Sequence, residues 1–289
     1  MKLKNIVVFT AIISSSAFAN SLTSVSIYGT PLIYKSSIAK KDGYFLGSYF
    51  YFGYSLNHVL EAEIDYIKIN FKDGKTLNQN NFSASYTNFY GNRKIKIGTY
   101  FIKNDEKNIT PQRNTDNGII ITLGYSKFKL YQWELGGEFH TSYYSNYKVN
   151  GNSLKVFQIN GILIYGEGNF YKKGRTYITI KPYVIYIPDS PTGKKTYTSL
   201  EGSFSYYISR WVFSGIGYIG KTLFAVKNGG LLVYNVAEER LYGIGGSIKY
   251  ILNKNSSIYL SVFNDTFRDE LSTNEANLTT LTLGAGFSF

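Results

Sequence analysis

The sequence predicts an all-β protein, an up-and-down antiparallel β-barrel of about 14 strands, with 12–16 as the expected range. Two observations predict this class. The 289 residues include 28 Tyr and 20 Phe, and aromatic residues are enriched in strands. In addition, runs of about 10–15 residues alternate between apolar and polar side chains, which is the pattern of strands with two unlike faces.

Composition excludes several functional classes. The chain has no Cys and two His, which excludes zinc fingers, iron–sulfur centres and thiol chemistry, and no metal or other cofactor is expected. The formal net charge is +12, but no DNA- or RNA-binding motif accompanies the basic residues, so nucleic acid is not an expected partner. After the first 20 residues no stretch is apolar for 18 residues, so no transmembrane helix is expected.

Residues 1–19 are predicted to be a signal peptide. Lys2 and Lys4 form a basic start, residues 6–13 form a short apolar core, and Ala17 and Ala19 form an A-x-A cleavage site. Residues 20–289 are then expected to form one barrel domain outside the cytoplasm.

Each predicted strand is justified by its own alternation. In residues 117–126, for example, Ile119 and Ile121 share one face and Thr122 and Gly124 share the other. The predicted strands lie near 22–34, 43–57, 58–71, 80–90, 93–103, 117–127, 129–145, 153–169, 173–187, 194–209, 210–226, 240–252, 255–266 and 277–289.

The predicted connections alternate between short and long. Tight turns are expected at 57–58, 91–92, 127–128, 172–174, 209–210 and 253–254, and longer polar loops at 35–42, 72–79, 104–116, 146–152, 188–193, 227–239 and 267–276. This alternation, with both termini on the turn side, is typical of barrels that span a membrane. A sheet in lipid must close on itself, because lipid offers no hydrogen-bond partner to a free edge.

The last strand carries the most specific pattern. Leu281, Leu283, Ala285, Phe287 and Phe289 alternate with small or hydroxyl residues up to the final position. In this the chain resembles the outer-membrane β-barrel proteins of Gram-negative bacteria, whose last strand ends in an aromatic residue. The resemblance implies a location in the outer membrane, contact with its lipid and lipopolysaccharide, and recognition of Leu283, Phe287 and Phe289 by the barrel-assembly machinery. In size and layout the chain also resembles monomeric fourteen-stranded porins.

The face opposite the apolar one is expected to line a lumen, because a charge on the lipid side costs about 2–4 kcal/mol at the midplane. Two interpretations of its charges stay open: opposed walls that set weak ion selectivity, or ion pairs that neutralise each other. The expected pore-lining residues are Glu61, Glu63, Lys94, Lys96, Glu134, Glu138, His140, Lys181, Glu201 and Lys249.

Two smaller groups of charges have expected roles as well. Asp65 extends the acidic ladder of Glu61 and Glu63, but residues two apart on a strand lie about 7 Å from each other, too far to share a Ca²⁺ ion without a neighbouring strand. Lysines in the predicted loops are expected either to meet lipopolysaccharide phosphates or to be simply solvated; they are Lys35, Lys40, Lys41, Lys194 and Lys195.

Two motifs suggest other chemistry and are weaker. Residues 215–220 match G-x-G-x-x-G, but a dinucleotide site needs that motif to open a helix, and here it lies inside a strand pattern. His140 and Ser142 form the H-x-S pair of outer-membrane acyl hydrolases, but Tyr143 stands where those enzymes commonly have Asn. The alternation also places the pair in the lumen rather than toward lipid.

The sequence therefore predicts a passive, porin-like channel for small hydrophilic solutes, with no catalytic residue. The alternative is a structural or surface-interaction (adhesion) barrel with a closed lumen, and a lipid hydrolase is the weaker third interpretation. Loops 104–116 and 227–239 folded into the barrel would favour gating or closure.

Overall fold

The structure is a computed structural model that describes residues 21–54, 57–105, 114–169, 174–269 and 273–289. The predicted signal peptide, with Ala17 and Ala19, lies outside the described residues. In the part of the chain that is described, no helix has the length and apolar character needed to cross a membrane.

Fourteen antiparallel strands close into a single barrel, as predicted, and each strand pairs with its neighbours along the wall. The wall strands are β1 (Ser21–Lys35), β2 (Lys40–Tyr54), β3 (His58–Phe71), β4 (Thr76–Tyr90), β5 (Arg93–Asn104), β6 (Gly118–Lys129), β7 (Trp133–Val149), β8 (Asn152–Asn169), β9 (Gly174–Tyr186), β10 (Thr196–Ile208), β11 (Trp211–Thr222), β14 (Glu238–Asn253), β15 (Ser256–Asp269) and β16 (Glu275–Ser288). Two further short strands, β12 (Val226–Lys227) and β13 (Leu232–Val233), pair only with each other.

The barrel has two unlike ends. We call the end that holds connections 55–57, 91–92, 130–132, 170–173, 209–210 and 254–255 the turn side, and the opposite end the loop side. Ser21 and Phe289 both belong to the turn side. The longest connections, 105–117, 187–195 and 223–237, are all on the loop side.

Two predicted loops differ from the structure: the one expected at 72–79 spans only 72–75, because β4 begins at Thr76, and the one expected at 146–152 is a tight turn. The loop expected at 146–152 is a two-residue turn, because β7 and β8 stay paired as far as Val149 and Asn152. Asn150 and Gly151 both have positive φ angles, 51° and 84°, which a tight hairpin turn requires and which Asn-Gly adopts readily.

A predicted turn is also displaced. The turn expected at 127–128 lies at 130–132, because β6 continues to Lys129, which pairs with Trp133. Tyr131 takes the positive φ of this turn, 64°. The faces of β7 are unaffected, since Glu134 and His140 still alternate with the exposed Leu135 and Phe139.

The outer face of the wall is an apolar surface that no other part of the described chain covers. Aromatic rings lie near the turn side, where those of Trp211 and Tyr250 are in contact, with centroids 4.5 Å apart and planes tilted by 47°. In water such an exposed apolar area would be unfavourable, but it suits a surrounding of acyl chains. Exposed aliphatic residues of this surface include Leu60, Ile64, Ile95, Ile97, Leu123, Ile159, Leu163, Ile244 and Leu283.

The first and last strands close the barrel. Val25 pairs with Phe287, and the amide of Phe289 donates to the carbonyl of Thr23 at 2.8 Å. Further along, Pro31 lacks an amide proton, and the pairing of β1 with β16 is interrupted between the Gly29–Leu283 and Leu32–Thr280 pairs. The extreme C-terminus thus forms part of the closing seam.

Removal of residues 287–289 should weaken this seam, because the pairing of β1 with β16 then ends short of the turn side. We expect a lower apparent unfolding temperature and a smaller folded, heat-modifiable fraction in detergent electrophoresis. Ser288→Ala, which keeps every backbone hydrogen bond, is the control and should behave as the unaltered protein. Equal unfolding temperatures for the truncated and full-length chains would contradict this role of the C-terminus.

Candidate functional site

The connection between β11 and β14 folds into the barrel. We call residues 223–237 the lumenal segment. The predicted strand 210–226 is wrong for its last four residues: pairing with β14 shifts after Ile219, and Gly220 adopts a φ of 108°. Beyond Thr222 the chain leaves the wall and turns inward, so of the two loops considered above the one near 227–239 does enter the lumen.

Apolar contacts hold the first part of the lumenal segment against one side of the wall. Phe224, Ala225 and Val226 are completely buried. The ring of Phe224 lies 5.5 Å from that of Tyr144 and 5.4 Å from that of Tyr147, measured between centroids. Burial of a side chain of this size contributes about 1.5–3 kcal/mol. Inward-facing wall residues of the same cluster are Tyr100, Ile102, Ile120, Leu154, Val156, Ile185 and Tyr197.

Polar contacts fix the position of the segment along the lumen. The Gln158 side-chain amide donates to the backbone carbonyl of Val226 at 2.6 Å. The backbone N–H of Val226 donates to Gln158 Oε1 at 2.9 Å. The Asn235 amide donates to Gln79 Oε1 and to Thr115 Oγ1, each at 2.8 Å. Since these groups are buried, each satisfied pair specifies one position of the segment.

A buried ion pair joins the lumenal segment to the wall. Lys227 Nζ donates to Glu201 Oε2 at 2.6 Å and lies 4.1 Å from the ring centroid of Tyr218. Burial lowers the pKa of Lys227, and the neighbouring Glu201 carboxylate opposes that shift. Glu201 was expected in the pore lining, but its partner Lys227 lies in the predicted loop 227–239 and was not foreseen.

A second ionic group fixes the end of the segment. Glu238 pairs with Lys40 and, at 2.8 Å, with Arg240, which also pairs with Asp265. The expectation that Lys40 meets solvent or lipopolysaccharide is therefore wrong. Its side chain is 2% exposed, because β2 already begins at Lys40 and directs it inward.

Two glycines form the tip of the segment, where it meets the wall. Gly229 and Gly230 have φ angles of 63° and 92°. A Cβ atom on Gly230 would lie 2.4 Å from Thr122 Oγ1, and one on Gly229 would lie 2.6 Å from Lys96 Nζ. The absence of side chains at both positions allows this close approach.

The structure places the expected pore-lining residues on the inner face and joins several of them in pairs. The ion pairs within the expected set are Lys94–Glu134 and Lys96–Glu61 at 3.1 Å, and His140 Nε2 lies 3.6 Å from Glu138 Oε2. Lys181 lies opposite Glu201 in the register of β9 and β10. Lys249 lies opposite Tyr259 nearer the turn side and is exposed. Glu63 accepts a hydrogen bond from Tyr28.

His140 and Ser142 are both buried on the inner face, away from the outer apolar surface. The His140 ring contacts Thr122 Oγ1 through Nδ1 and the Asn160 amide through Nε2, each at 2.9 Å. A hydrolase acting on membrane lipid would need this pair on the lipid side. The G-x-G-x-x-G residues lie within β11, in the wall, and the strand continues to Thr222, so the motif does not open a helix.

A cavity of about 770 Å³ remains between the lumenal segment and a part of the wall formed mainly by β1–β4, β15 and β16, and Glu201, Glu238 and Arg240 also line it. Carboxylates and hydroxyl groups, including those of Glu61, Glu63 and Tyr49, line part of it. Toward the loop side its lining becomes apolar, at Leu32 and Ile69. The lumen is therefore filled on one side of the barrel and hollow on the other.

The chain has the fold of known outer-membrane proteins. No protein-family model matches the sequence, and no curated protein matches it. The structure is similar to the CymD monoaromatic hydrocarbon channel, with a TM-score of 0.59 and 7% identity over 95% of this chain and 90% of that one.

Two further solved structures share the fold. A Pseudomonas aeruginosa FadL homologue has a TM-score of 0.56 and 7% identity over 93% of this chain and 90% of that one. The Acinetobacter baumannii outer-membrane protein Omp33 has a TM-score of 0.50 and 7% identity over 93% of this chain and 99% of that one. At such identities the likeness shows the closed barrel fold, as the sequence predicted.

The Lys227–Glu201 pair should contribute strongly to stability. Lys227→Met leaves Glu201 buried without its cation, which we expect to lower the free energy of unfolding by about 3–5 kcal/mol. Adding Glu201→Gln should restore part of the loss. Equilibrium unfolding of the two single variants and the double variant forms the cycle that measures the coupling.

The matched control is Lys221→Met, which removes a Lys from a more exposed pair with Glu239 at 3.3 Å. An exposed pair of this kind contributes about 0–1 kcal/mol. Equal losses for Lys227→Met and Lys221→Met would show that the lumenal segment is not held by the buried pair.

Proposed function

We propose that the protein is a passive, porin-like channel of the bacterial outer membrane for small hydrophilic solutes, with the lumenal segment as its constriction. The observation that carries this proposal is a hollow, charged cavity inside a closed barrel whose outer face is apolar. Only a surrounding lipid phase accounts for both surfaces, because charged groups are directed inward and aliphatic groups outward.

The inner surface supports a role in solute passage. The lumen retains carboxylates, amides and hydroxyl groups along strands that are buried from lipid, and such groups replace part of the hydration of a polar solute. A purely structural barrel has no need of this cavity. The fold is also similar to that of a protein described as a monoaromatic hydrocarbon channel, which supports transport as the role. The class of solute is inferred from the residues that line this chain's own lumen.

The same location accounts for the proposed partners. Leu283, Phe287 and Phe289 lie on the exposed side of β16, where the barrel-assembly machinery could recognise them before the seam closes. Lysines near the loop side, such as Lys41 and Lys194, are exposed and suit contact with lipopolysaccharide phosphates.

One observation favours the second candidate, a barrel with a closed lumen that acts through its surface. Inward-facing side chains near the loop side are buried around much of the barrel, and they pack on each other or on the lumenal segment. They include Leu32, Ile69, Leu77, Ile102, Ile120, Tyr144, Leu154, Ile185, Tyr197 and Phe267.

Conductance measurements on the refolded protein in planar bilayers test the proposal. We expect discrete steps that increase with salt concentration. Replacement of residues 224–235 by a short Gly-Ser linker should raise the step size at least about twofold, because it enlarges the open cross-section of the lumen. Thr222 and Arg240 are paired in the wall, so a short linker spans the gap.

A similar replacement in the connection 188–194 is the control for loop-side changes in general, and it should leave the step size unchanged. If the unaltered protein is silent and only the 224–235 variant conducts, the closed-barrel candidate is supported. If neither the unaltered protein nor the 224–235 variant conducts, and electrophoresis confirms that both are folded, the protein is not a channel.

A further inference from the structure

The charges around the cavity are almost all compensated. Five carboxylate residues line it, and four of them form ion pairs; these four are Glu61, Glu201, Glu238 and Asp265, with Lys96, Lys227, Lys40 and Arg240 as their partners. The fifth is Glu63. Among the described residues no Lys or Arg lies within ion-pair distance of Glu63, whose hydrogen bond comes from the neutral Tyr28 hydroxyl.

A second carboxylate without a cation lies directly beside it. Asp65 follows two residues later on the inner face of β3, is 5% exposed and accepts a hydrogen bond from the neutral Asn81 amide. Removing an ionised carboxylate from water is unfavourable unless a cation compensates it. Two neighbouring carboxyl groups of this kind are stabilised by a bound proton or by a bound cation.

An independent observation comes from the adjacent strand. Ser83 lies opposite Glu63 in the register of β3 and β4, on the inner face, and is 1% exposed. Within the described part of the chain its hydroxyl has no hydrogen-bond partner. A buried hydroxyl without a partner is uncommon in folded proteins, and here it lies next to the carboxylate that lacks a cation.

We propose that Glu63, which lines the cavity, forms a recognition site for a small organic ammonium ion, with Asp65 and Ser83 beside it on the inner face of β3 and β4, and that the channel prefers cations. This inference rests on the proposed channel function. An ammonium group donates hydrogen bonds in several directions and so suits acceptors on two strands. Aromatic rings of Tyr28, Tyr49 and Tyr259 line the same cavity and offer surfaces for an apolar stem or for the cation itself.

The rest of the lumen agrees with this assignment. Lys249 on β14 also faces inward, opposite Tyr259, but it is exposed and nearer the turn side, where water hydrates its charge. The net charge of +12 arises from the whole chain, so a cation-preferring cavity is opposite in sign to the protein as a whole. Selectivity measurements can therefore separate the local charge from the overall one.

The reversal potential under a KCl gradient tests the preference. The unaltered protein should favour K⁺ over Cl⁻, and Glu63→Gln should lower the permeability ratio at least about threefold, since one unit charge beside the path is lost. Glu167→Gln, the same change at an exposed position on β8, is the matched control and should leave the ratio unchanged. A conducting channel whose ratio is the same with and without Glu63 would overturn the inference and leave the proposed function intact.

A binding measurement decides the inference even for a silent barrel. Butylammonium chloride should raise the apparent unfolding temperature of the detergent-solubilised protein, and sodium butyrate at the same concentration should not. The increase should disappear in Glu63→Gln and shrink in Ser83→Ala, a small substitution that the fold tolerates. No increase with butylammonium, or an equal increase in all three proteins, would refute the site.

Discussion

Closure of the sheet is the constraint on which the rest of the structure depends. A β-sheet with an apolar outer face satisfies its backbone groups in lipid only if its first and last strands pair, because any free edge would leave amide and carbonyl groups without partners. Here that pairing joins β1 with β16 and extends to the terminal Phe289. Once the sheet is closed, every strand has an outer and an inner face, and the residues that alternate along the sequence lie on these two faces in turn.

Closure also creates a space that the chain must either fill or hydrate. Fourteen strands enclose more volume than inward side chains alone fill, whereas eight would be filled by them. The protein fills one side with part of its own chain. The lumenal segment buries Phe224 and Val226 against β5–β10, and its polar groups are satisfied by Gln79, Gln158 and Glu201.

The sequence predicted the wall well, because strand alternation and membrane burial act in the same direction there. Ile119 and Ile121 are exposed outward and Thr122 is buried inward, as their spacing indicated. The Asn150–Gly151 turn was missed, although Asn-Gly between alternating runs is a strong local signal for a hairpin.

The interior was predicted less well, because alternation identifies a face but not what that face contacts. Ile120 and Ile185 lie on the inner face, where charged and hydroxyl residues were expected, and they contact the lumenal segment. Apolar residues on the inner face near the loop side were the available signal that another part of the chain fills the lumen. The burial of Lys40 was not predictable from its neighbours, because its partner Glu238 is distant in sequence.

The asymmetry of the lumenal segment determines which residues can contact a solute. Its apolar anchor lies against β5–β10, so the remaining cavity is bounded by β1–β4, β15 and β16 together with the opposite surface of the segment. Charges on the filled side, such as Lys94 on β5 and Glu134 on β7, are paired across the intervening strand β6. On the hollow side, Glu63 remains without a cation among the described residues. The segment thus reduces the width of the lumen and, because it covers one side, leaves the acidic part of β3 as the surface that a solute would meet in the proposed channel.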